Sequence, residues 1–252
     1  HTEYSLLDGH THIYDMVKRA ADLDMPAVAI SDHGVMSGVP QLCEMCDKVE
    51  AETGKRVKPI YGCEVYFTTE LRKDTKPKLY HLLLLAKTNE GYHNLVKLVS
   101  ESHVDNFYYK PRTTFSMLQK YGKGIIGSSA CIAGIIPKLL DNRQVDEAVE
   151  WAKKFASCFE PGDFYIELQN QGIRTDAGFT QTELNHMLTD VAKAAGLKTI
   201  ATNDFHYLTR EDARAQDYML CIGTGAAFND ANRMRFENDQ LYMKTEEEMR
   251  EA

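Results

Sequence analysis

The chain has 252 residues, with 29 Lys and Arg against 37 Asp and Glu, so its formal net charge is −8. Apolar residues at 43% and charged residues at 26% are ordinary for a globular domain, which argues against a disordered or fibrous protein. The excess of acid argues against a broad basic face that grips duplex nucleic acid. It leaves other nucleic-acid roles open, because clustered carboxylates are also what hard metal ions require. The length fits one large domain or two small ones.

No stretch of the sequence predicts a membrane segment. The longest unbroken apolar run, residues 82–86, is far too short to cross a bilayer, and no basic and apolar leader opens the chain. We therefore expect a cytoplasmic protein. Its six cysteines are then reduced thiols instead of three disulfides; they are Cys43, Cys46, Cys63, Cys131, Cys158 and Cys221.

Short β-rich runs alternate with amphipathic helical patterns along the chain. This alternation predicts an α/β fold built from βαβ units around a parallel sheet, and the apolar strands indicate burial on both faces. The rhythm ends near residue 210, so we assign a barrel domain to 1–209 and a loop-rich tail, leading toward a further domain, to 210–252. The predicted helices are 13–23, 39–52, 94–102, 145–158 and 183–195. The predicted strands are 27–30, 57–68, 79–87, 124–128, 164–168 and 198–202.

Most of the predicted strands carry or lead into a side chain that can bind a metal ion. In α/β barrels the chemistry lies at the carboxyl ends of the strands, where such side chains would meet. Each residue alone is more often structural, although Asp204 and His206 at i and i+2 would share one face of a strand. The candidates are His1, Asp8, His33, Glu64, His81, Cys131, Asp204 and His206.

These eight groups are too many for one tetrahedral ion and could hold two or three. Imidazole, thiolate and carboxylate suit Zn²⁺, and carboxylates also accept Mn²⁺ or Mg²⁺. A cluster of such ions can bind a phosphoryl group and activate water. The residue types therefore predict a site for two or three divalent ions, with Zn²⁺ or Mn²⁺ favoured.

The candidate residues lie in short motifs that resemble, in order, those of the PHP (polymerase and histidinol phosphatase) domain. The motifs are HTEYSLLDG (1–9), SDHG (31–34), KPIYGCE (58–64), YHLLLLA (80–86), SSAC (128–131) and ATNDFHY (201–207). Further phrases resemble the PHP domains of bacterial replicative DNA polymerase III alpha subunits; they are NEGYHNLV (89–96), IELQN (166–170) and LYMKTE (241–246).

This resemblance implies a distorted seven-stranded, TIM-like β/α barrel with a three-metal site. Glu64 would bridge two ions; His1 and Asp204 would share the first, and His81 and Cys131 would complete the second. A third set is implied as well, consisting of Asp8, His33 and His206. Among all these ligands, the resemblance gives catalytic roles to Glu64, Asp204 and His206.

The implied activity is phosphoester hydrolysis by metal-activated hydroxide. In polymerase-type members this can be a 3′–5′ proofreading exonuclease acting on a DNA primer terminus. The implied partners are the remainder of a polymerase chain and a proofreading exonuclease subunit. Two other functions stay open: a free-standing small-molecule phosphatase of the histidinol-phosphatase type, and a module that metals stabilise without turnover.

Two features depart from the family's pattern. The first motif of the family is His-x-His, and only the second His is present, as His1, so either the sequence begins two residues late or the first metal site lacks a ligand. His10 and His12 form a pair that polymerase relatives usually lack. We expect them to be surface or capping residues, with replacement of the missing ligand as a minor hypothesis.

Other conspicuous residues have ordinary explanations. Cys43 and Cys46 form a CxxC pattern inside a predicted helix, where packing explains them better than redox or zinc chemistry. His93, His103 and His186 lie on helical patterns and predict surface or supporting groups. Basic residues near aromatics could contact single-stranded DNA, or could be solvated loops; they are Lys73, Lys76, Lys78, Lys110 and Arg112.

Overall fold

Seven strands form one curled sheet, a half-barrel flanked by helices. The computed structural model describes residues 1–252. The strands are β1 (Ala27–Ile30), β2 (Lys58–Phe67), β3 (Tyr80–Ala86), β4 (Arg112–Thr113), β5 (Ile125–Ser128), β6 (Phe164–Leu168) and β7 (Lys198–Ala201). The helices are α1 (Ile13–Asp22), α2 (Val39–Thr53), α3 (Asn89–Val104), α4 (Phe115–Tyr121), α5 (Ile135–Asp141), α6 (Val145–Ala156), α7 (Gln181–Ala195), α8 (Ala213–Thr224) and α9 (Glu246–Glu251), with a short 3₁₀ turn at Arg210–Asp212.

The strand order is β1-β2-β3-β5-β6-β7, and the two-residue β4 pairs with β2. The prediction of a wholly parallel sheet is wrong at β3, which is antiparallel to both β2 and β5. The reason for the first pairing is local: residues 68–79 between β2 and β3 contain no helix, and a parallel return requires a long crossover connection. The remaining pairings are parallel.

The predicted seven-stranded α/β barrel is confirmed in its strand number and in its curled, helix-flanked sheet. The sheet is a half-barrel because β1 and β7 lie at its two edges and do not pair with each other. A cavity of about 350 Å³ lies between these edges and extends to Glu64 and Asp204 on the inner side of the sheet.

The core forms because apolar residues recur at helical and strand spacing. In α1, Ile13, Met16, Val17 and Ala20 lie on one face and are fully buried against β1 and α2. A larger core of 25 residues lies under α3, α6 and α7. Close approach is also required, because α3 packs so near β5 that a Cβ on Gly91 would lie 1.7 Å from the carbonyl oxygen of Gly124.

All six predicted strands and all five predicted helices are present, with ends that shift by a few residues. Helices α4 and α5 and strand β4 were not predicted, and α8 and α9 occupy part of the tail assigned as loop-rich. The tail packs on the half-barrel: Tyr207 forms a bridge with Tyr242, and Leu241 is buried beside them. The boundary at 209/210 stays a prediction. None of the helices combines the length and apolar character needed to cross a bilayer.

Candidate metal centre

The predicted metal-binding side chains meet at one rim of the half-barrel. Strand alternation turns Cys63 and Val65 toward the helices and Glu64 toward the inner face. His81 is the second residue of β3, and because β3 is antiparallel, its beginning lies at the same rim as the ends of the parallel strands. The others lie in loops: His1 and Asp8 before α1, His33 after β1, Cys131 after β5, and Asp204 and His206 after β7.

Glu64 is at the centre of this rim. Its Oε1 atom lies 2.8 Å from Nδ1 of His33 and 2.8 Å from Nδ1 of His81. The Glu64 Oε1 and His33 Nδ1 atoms are nevertheless buried without a partner in hydrogen-bond geometry. Buried oxygen and imidazole nitrogen atoms that converge without hydrogen-bond geometry are what a cation-binding cluster presents.

A second contact joins the first motif, which contains His1, to the last motif, which contains Asp204. His1 Nε2 lies 3.1 Å from Asp204 Oδ1 and 3.8 Å from Glu64 Oε1. The backbone nitrogen of His1 donates to the carbonyl oxygen of Phe205 at 2.9 Å. This bond places the first loop, residues 1–12, against the residues after β7. Asp204 has a φ of +51°, a left-handed conformation that costs energy outside glycine and that turns its carboxylate into the cluster.

Asp8 connects two further imidazoles. Its Oδ2 atom lies 3.3 Å from His33 Nε2 and 3.9 Å from His206 Nε2, while its buried Oδ1 has no partner. His206 Nδ1 lies 2.9 Å from the carbonyl oxygen of Asp204 and donates to it. This bond fixes the tautomer that leaves Nε2 unprotonated toward Asp8, as metal-binding histidines require.

Cys131 lies at the edge of the cluster. Its Sγ is 3.6 Å from Nδ1 of His81, and Ala130 before it has a left-handed φ of +58°. Burial, reinforced by the charge of Glu64, raises the pKa of the Cys131 thiol well above its ordinary value. The thiol therefore keeps its proton, which a bound cation would have to displace.

Three overlapping sets of ligand atoms each lie within 4.8 Å of one another. One set contains His1, Glu64 and Asp204, which is the first set that the family resemblance implies. The second contains His33, Glu64 and His81, with His33 where Cys131 was expected. The third contains His1, His33 and His206 without Asp8. The donor atoms and the orphaned buried oxygens both fit divalent cations of the kind that oxygen and imidazole bind.

The charges within the cluster compensate each other. Burial alone would raise the pKa of Glu64, but the neighbouring His81, His33 and His1 hold it well below its ordinary value. Burial likewise opposes a charge on His33, yet Asp8 and Glu64 raise the pKa of His33 to about 10. Positive charge on His33 thus compensates the neighbouring carboxylates of Asp8 and Glu64. A bound cation takes over that role with neutral imidazoles, so uptake releases protons.

Asp32, which was not predicted as a site residue, anchors the first loop. It is fully buried and accepts three hydrogen bonds: from the backbone nitrogen of Thr2 at 2.6 Å, from Thr2 Oγ1 at 2.8 Å and from Ser5 Oγ at 2.8 Å. Ser5 Oγ lies 3.1 Å from His1 Nδ1. Asp32 therefore holds the loop that presents His1; its place beside His33 was the only signal in the sequence.

Glu167 is a second group that the sequence analysis did not single out. It lies on β6 and lines the same inner cavity as Glu64 and Asp204. Thr202 Oγ1 donates to it at 2.6 Å and Gln169 Nε2 at 3.1 Å, and Ser128 Oγ donates to its other oxygen. Burial raises the pKa of Glu167. A buried, fully bonded carboxyl of this kind braces β5, β6 and β7 under the cluster.

A cleft of about 910 Å³ opens beside the cluster. Asp8, His33 and His81 form its floor, and Tyr66 and Lys110 form part of its wall. The Tyr66 ring lies 6.0 Å from the ring of His33 and 5.6 Å from that of His81. Burial, with Glu64 and Asp8 nearby, raises the pKa of Tyr66, so its hydroxyl stays protonated. The cleft gives a ligand access to the cluster from solvent.

The histidine pair of the first loop lies apart from the cluster. His12 precedes α1 but makes no side-chain capping bond, and its exposed ring pairs with Glu3. The His10 ring lies 6.3 Å from that of His12, and neither ring belongs to the three ligand sets. The capping interpretation of His12 is wrong, its surface interpretation is confirmed, and neither residue supplies a ligand in this arrangement.

The other conspicuous residues have structural places. Cys43 and Cys46 lie in α2, with Cys46 buried in the core and Cys43 exposed, as helix packing predicts. All six cysteines are free thiols. His103 on α3 contacts the carbonyl oxygen of Gly34 with its Nε2 at 2.8 Å, which supports the loop after His33. Lys110 lines the cleft, whereas the basic residues of 72–78 do not.

The fold and the cluster together define an α/β half-barrel domain with imidazole and carboxylate groups gathered at one rim. The PHP domain family matches residues 1–171, which is more than half of the chain. The chain belongs to the PHP domain family.

Its relatives include large polymerase subunits. The chain is 40% identical over 257 residues to the DNA polymerase III subunit alpha of Borreliella burgdorferi, with 99% of the chain and 21% of that protein covered. It is 36% identical to that of Treponema pallidum, covering 99% of the chain and 21% of the relative. For Thermus aquaticus the identity is 37%, over 99% of the chain and 20% of the relative. The chain spans about a fifth of the length of these relatives.

A solved structure with a related outline comes from Bifidobacterium adolescentis and is provisionally assigned as a metal-dependent phosphoesterase. It has a TM-score of 0.45 at 14% identity, with 98% of this chain and 92% of that chain covered.

Proposed function

We propose that this chain is a metal-dependent phosphoesterase domain of a bacterial DNA polymerase III alpha subunit, acting on a DNA 3′ end. The observation that carries the proposal is the convergence of six ligand residues on one rim, with buried donor atoms that have no hydrogen-bond partner. The matches to DNA polymerase III alpha subunits, each over nearly the whole chain, support the polymerase context. The remainder of the polymerase chain, and a proofreading exonuclease subunit bound to it, are the proposed partners.

We assign the ligands by combining the family pattern with the distances. Glu64 would contribute to two metal positions; His1 and Asp204 would hold the first ion, and His81 with Cys131 the second. Asp8, His33 and His206 would hold the third. When bound, such ions supply positive charge to a phosphoryl group and lower the pKa of water. We infer that Zn²⁺ or Mn²⁺ fills these positions, because imidazole and thiolate ligands favour them over Mg²⁺.

The chain's own residues then provide binding and orientation. Asp204 and His206 lie at the same rim as Glu64. The carboxylate of Asp204 lies close to the ring of His1, and a backbone carbonyl sets the tautomer of His206. The cleft beside them admits a phosphoester from solvent. The similarity to DNA polymerase III alpha subunits over nearly the whole chain favours the DNA substrate over a histidinol-phosphatase type of activity.

One observation favours a second function, a metal-stabilised structural module. The backbone nitrogen of His206 donates to the carbonyl oxygen of Leu241 at 2.8 Å, so a ligand loop is tied directly to the tail. Ions at this rim would then hold β7, the first loop and the tail together even without turnover. Such a module would have the same metal ligands as the proposed phosphoesterase and would differ from it only in lacking hydrolytic activity.

Hydrolysis of bis(p-nitrophenyl) phosphate by protein of confirmed Mn²⁺ or Zn²⁺ content separates these functions. We expect turnover by the wild type and its loss in Glu64→Ala. Asp22→Asn, at the exposed end of α1, is the matched carboxylate control and should retain full turnover. Equal rates for wild-type and Glu64→Ala protein, with metal present in the wild type, would reject the hydrolytic function and leave the structural one.

A further inference from the structure

The cleft wall contains one cation that no carboxylate neutralises. Lys110 lines the cleft together with the ligand residues Asp8, His33 and His81. It forms no ion pair and no side-chain hydrogen bond, in contrast to the paired Lys87 and Lys120. Its ammonium group is exposed and available to an anion that enters the cleft.

The ammonium group of Lys110 lies over the aromatic ring of Tyr66. Its Nζ lies 5.2 Å from the ring centroid of Tyr66, at a distance where a cation is attracted to an aromatic face. Tyr66 is itself nearly buried on β2, two residues after Glu64, so the contact links the lysine to the strand that carries the central carboxylate.

The backbone around Lys110 is held by the half-barrel. Arg112, the next but one residue, is fully buried, pairs with Tyr66 in the β2–β4 register and donates to the carbonyl oxygens of Asn106 and Arg72. Between the two, Pro111 packs so close to Gly34 that a Cβ on this glycine would lie 2.8 Å from the proline ring. The contacts of Pro111 and Arg112 therefore fix the backbone next to Lys110, unlike that of a lysine on a free loop.

Exposed aromatic rings precede this lysine in the chain. Tyr109 is 69% exposed and has a left-handed φ of +62°, a strained conformation for a large side chain that leaves its ring out of the core. Phe107 is 51% exposed. A positive group that tracks a backbone, next to aromatic faces, is the combination by which proteins bind single-stranded nucleic acid.

We propose that Lys110 binds a phosphate of single-stranded DNA in this cleft and that Tyr109 stacks on an adjacent base. The proposal names the substrate-binding residues of the site and rests on the proposed function for its biological meaning. It concerns contacts outside the ligand cluster, so binding can be measured without hydrolysis.

The test is the affinity of the full chain for a short fluorescent oligothymidylate with hydrolysis-resistant phosphorothioate linkages, measured by anisotropy at several salt concentrations with Mn²⁺ present. We expect Lys110→Ala to weaken binding by about fivefold, the upper end for an exposed ion pair. The slope of log affinity against log salt should fall by about 0.7, the value for one phosphate contact on a single strand. Lys110→Arg should restore both quantities.

Matched controls separate this contact from general charge. Lys73→Ala removes the same charge from a surface outside the cleft and should leave affinity and slope unchanged. Tyr109→Leu should weaken binding by about fivefold or more without changing the slope, because stacking does not depend on salt as a phosphate contact does. Unchanged thermal unfolding midpoints would show that the variants fold.

The outcomes distinguish this inference from the proposed function. A wild type that binds no oligonucleotide, or a Lys73→Ala variant that loses as much affinity as Lys110→Ala, would overturn the inference even if bis(p-nitrophenyl) phosphate is hydrolysed. Loss of slope in Lys110→Ala alone would support it even if the wild type hydrolyses nothing. Weakening by Lys110→Ala with no effect of Tyr109→Leu would overturn the stacking contact and favour a phosphoester without a base.

Discussion

Asp32 gives the sharpest test of how the first loop is held. Its Oδ1 accepts from Thr2 N and Ser5 Oγ, and its Oδ2 accepts from Thr2 Oγ1. In Asp32→Asn the new amide replaces Oδ2, and the Thr2 hydroxyl can rotate from donor to acceptor. The two bonds to Oδ1 survive but lose charge assistance, at about 1 kcal/mol each. We expect the free energy of unfolding to fall by about 2 kcal/mol.

Asp32→Ala is the more severe change. It leaves the backbone nitrogen of Thr2 buried without an acceptor, and the Thr2 and Ser5 hydroxyls must find other partners inside the core. At about 1–3 kcal/mol for each unsatisfied buried group, we expect a loss of about 4 kcal/mol. The ordering of wild type, Asn and Ala variants follows from the number of acceptors that remain.

The assay is urea unfolding of chelator-treated protein, so that metal binding does not enter the comparison. Asp22→Asn serves as the control: its carboxylate pairs with Lys18 on the surface of α1, and we expect a loss below about 0.5 kcal/mol. Metal uptake by Asp32→Asn should weaken about tenfold, because groups that orient ligands have effects of this size. A loss for Asp32→Asn no larger than that for Asp22→Asn would refute the reasoning.

Three further predictions concern packing, pH and metal. Gly91→Ala should lower stability by about 3 kcal/mol in urea, because its Cβ would meet the Gly124 backbone; a change below about 1 kcal/mol would contradict this packing. Hydrogen bonding to Arg233 lowers the pKa of Asp217, so this contribution is present above the ordinary carboxyl pKa of about 3.9 and is lost as pH falls through the lowered value. Asp217→Asn should therefore reduce the fall in stability on acidification, and an unchanged acid profile would count against the pair. Mn²⁺ should raise the thermal midpoint of the wild type, reversibly with EDTA, but have little effect on Glu64→Gln.

The secondary structure was largely predictable because its signals are local. The spacing of Ile13, Met16, Val17 and Ala20 is enough to predict α1, since a helix brings residues three and four apart to one face. The orientation of β3 was not predictable in the same way. Its apolar run is the same for either direction, and only the helix-free connection from β2 makes the antiparallel return the short one.

The candidate ligand residues could be named from the sequence, but the distances between them could not. His33 illustrates this limit: its family position pairs it with Asp8 and His206, and the fold also brings its Nδ1 to 2.8 Å from Glu64. Asp32 and Glu167 were missed because a buried carboxylate that braces a loop or a set of strands looks like any other acid in one dimension.

The net charge of −8 is a property of the sequence and says how acidic the molecule is as a whole. Residue types and motif order determined the family, the α/β class and the set of groups that can bind metal. Only the tertiary structure decided where charge is concentrated. It gathers Asp8, Glu64 and Asp204 at one rim and sets Lys110 in the cleft that Asp8 also lines, because curvature of the sheet brings together strands that are far apart in the chain. Electrostatic interaction depends on distance in space, and distance along the chain does not specify it.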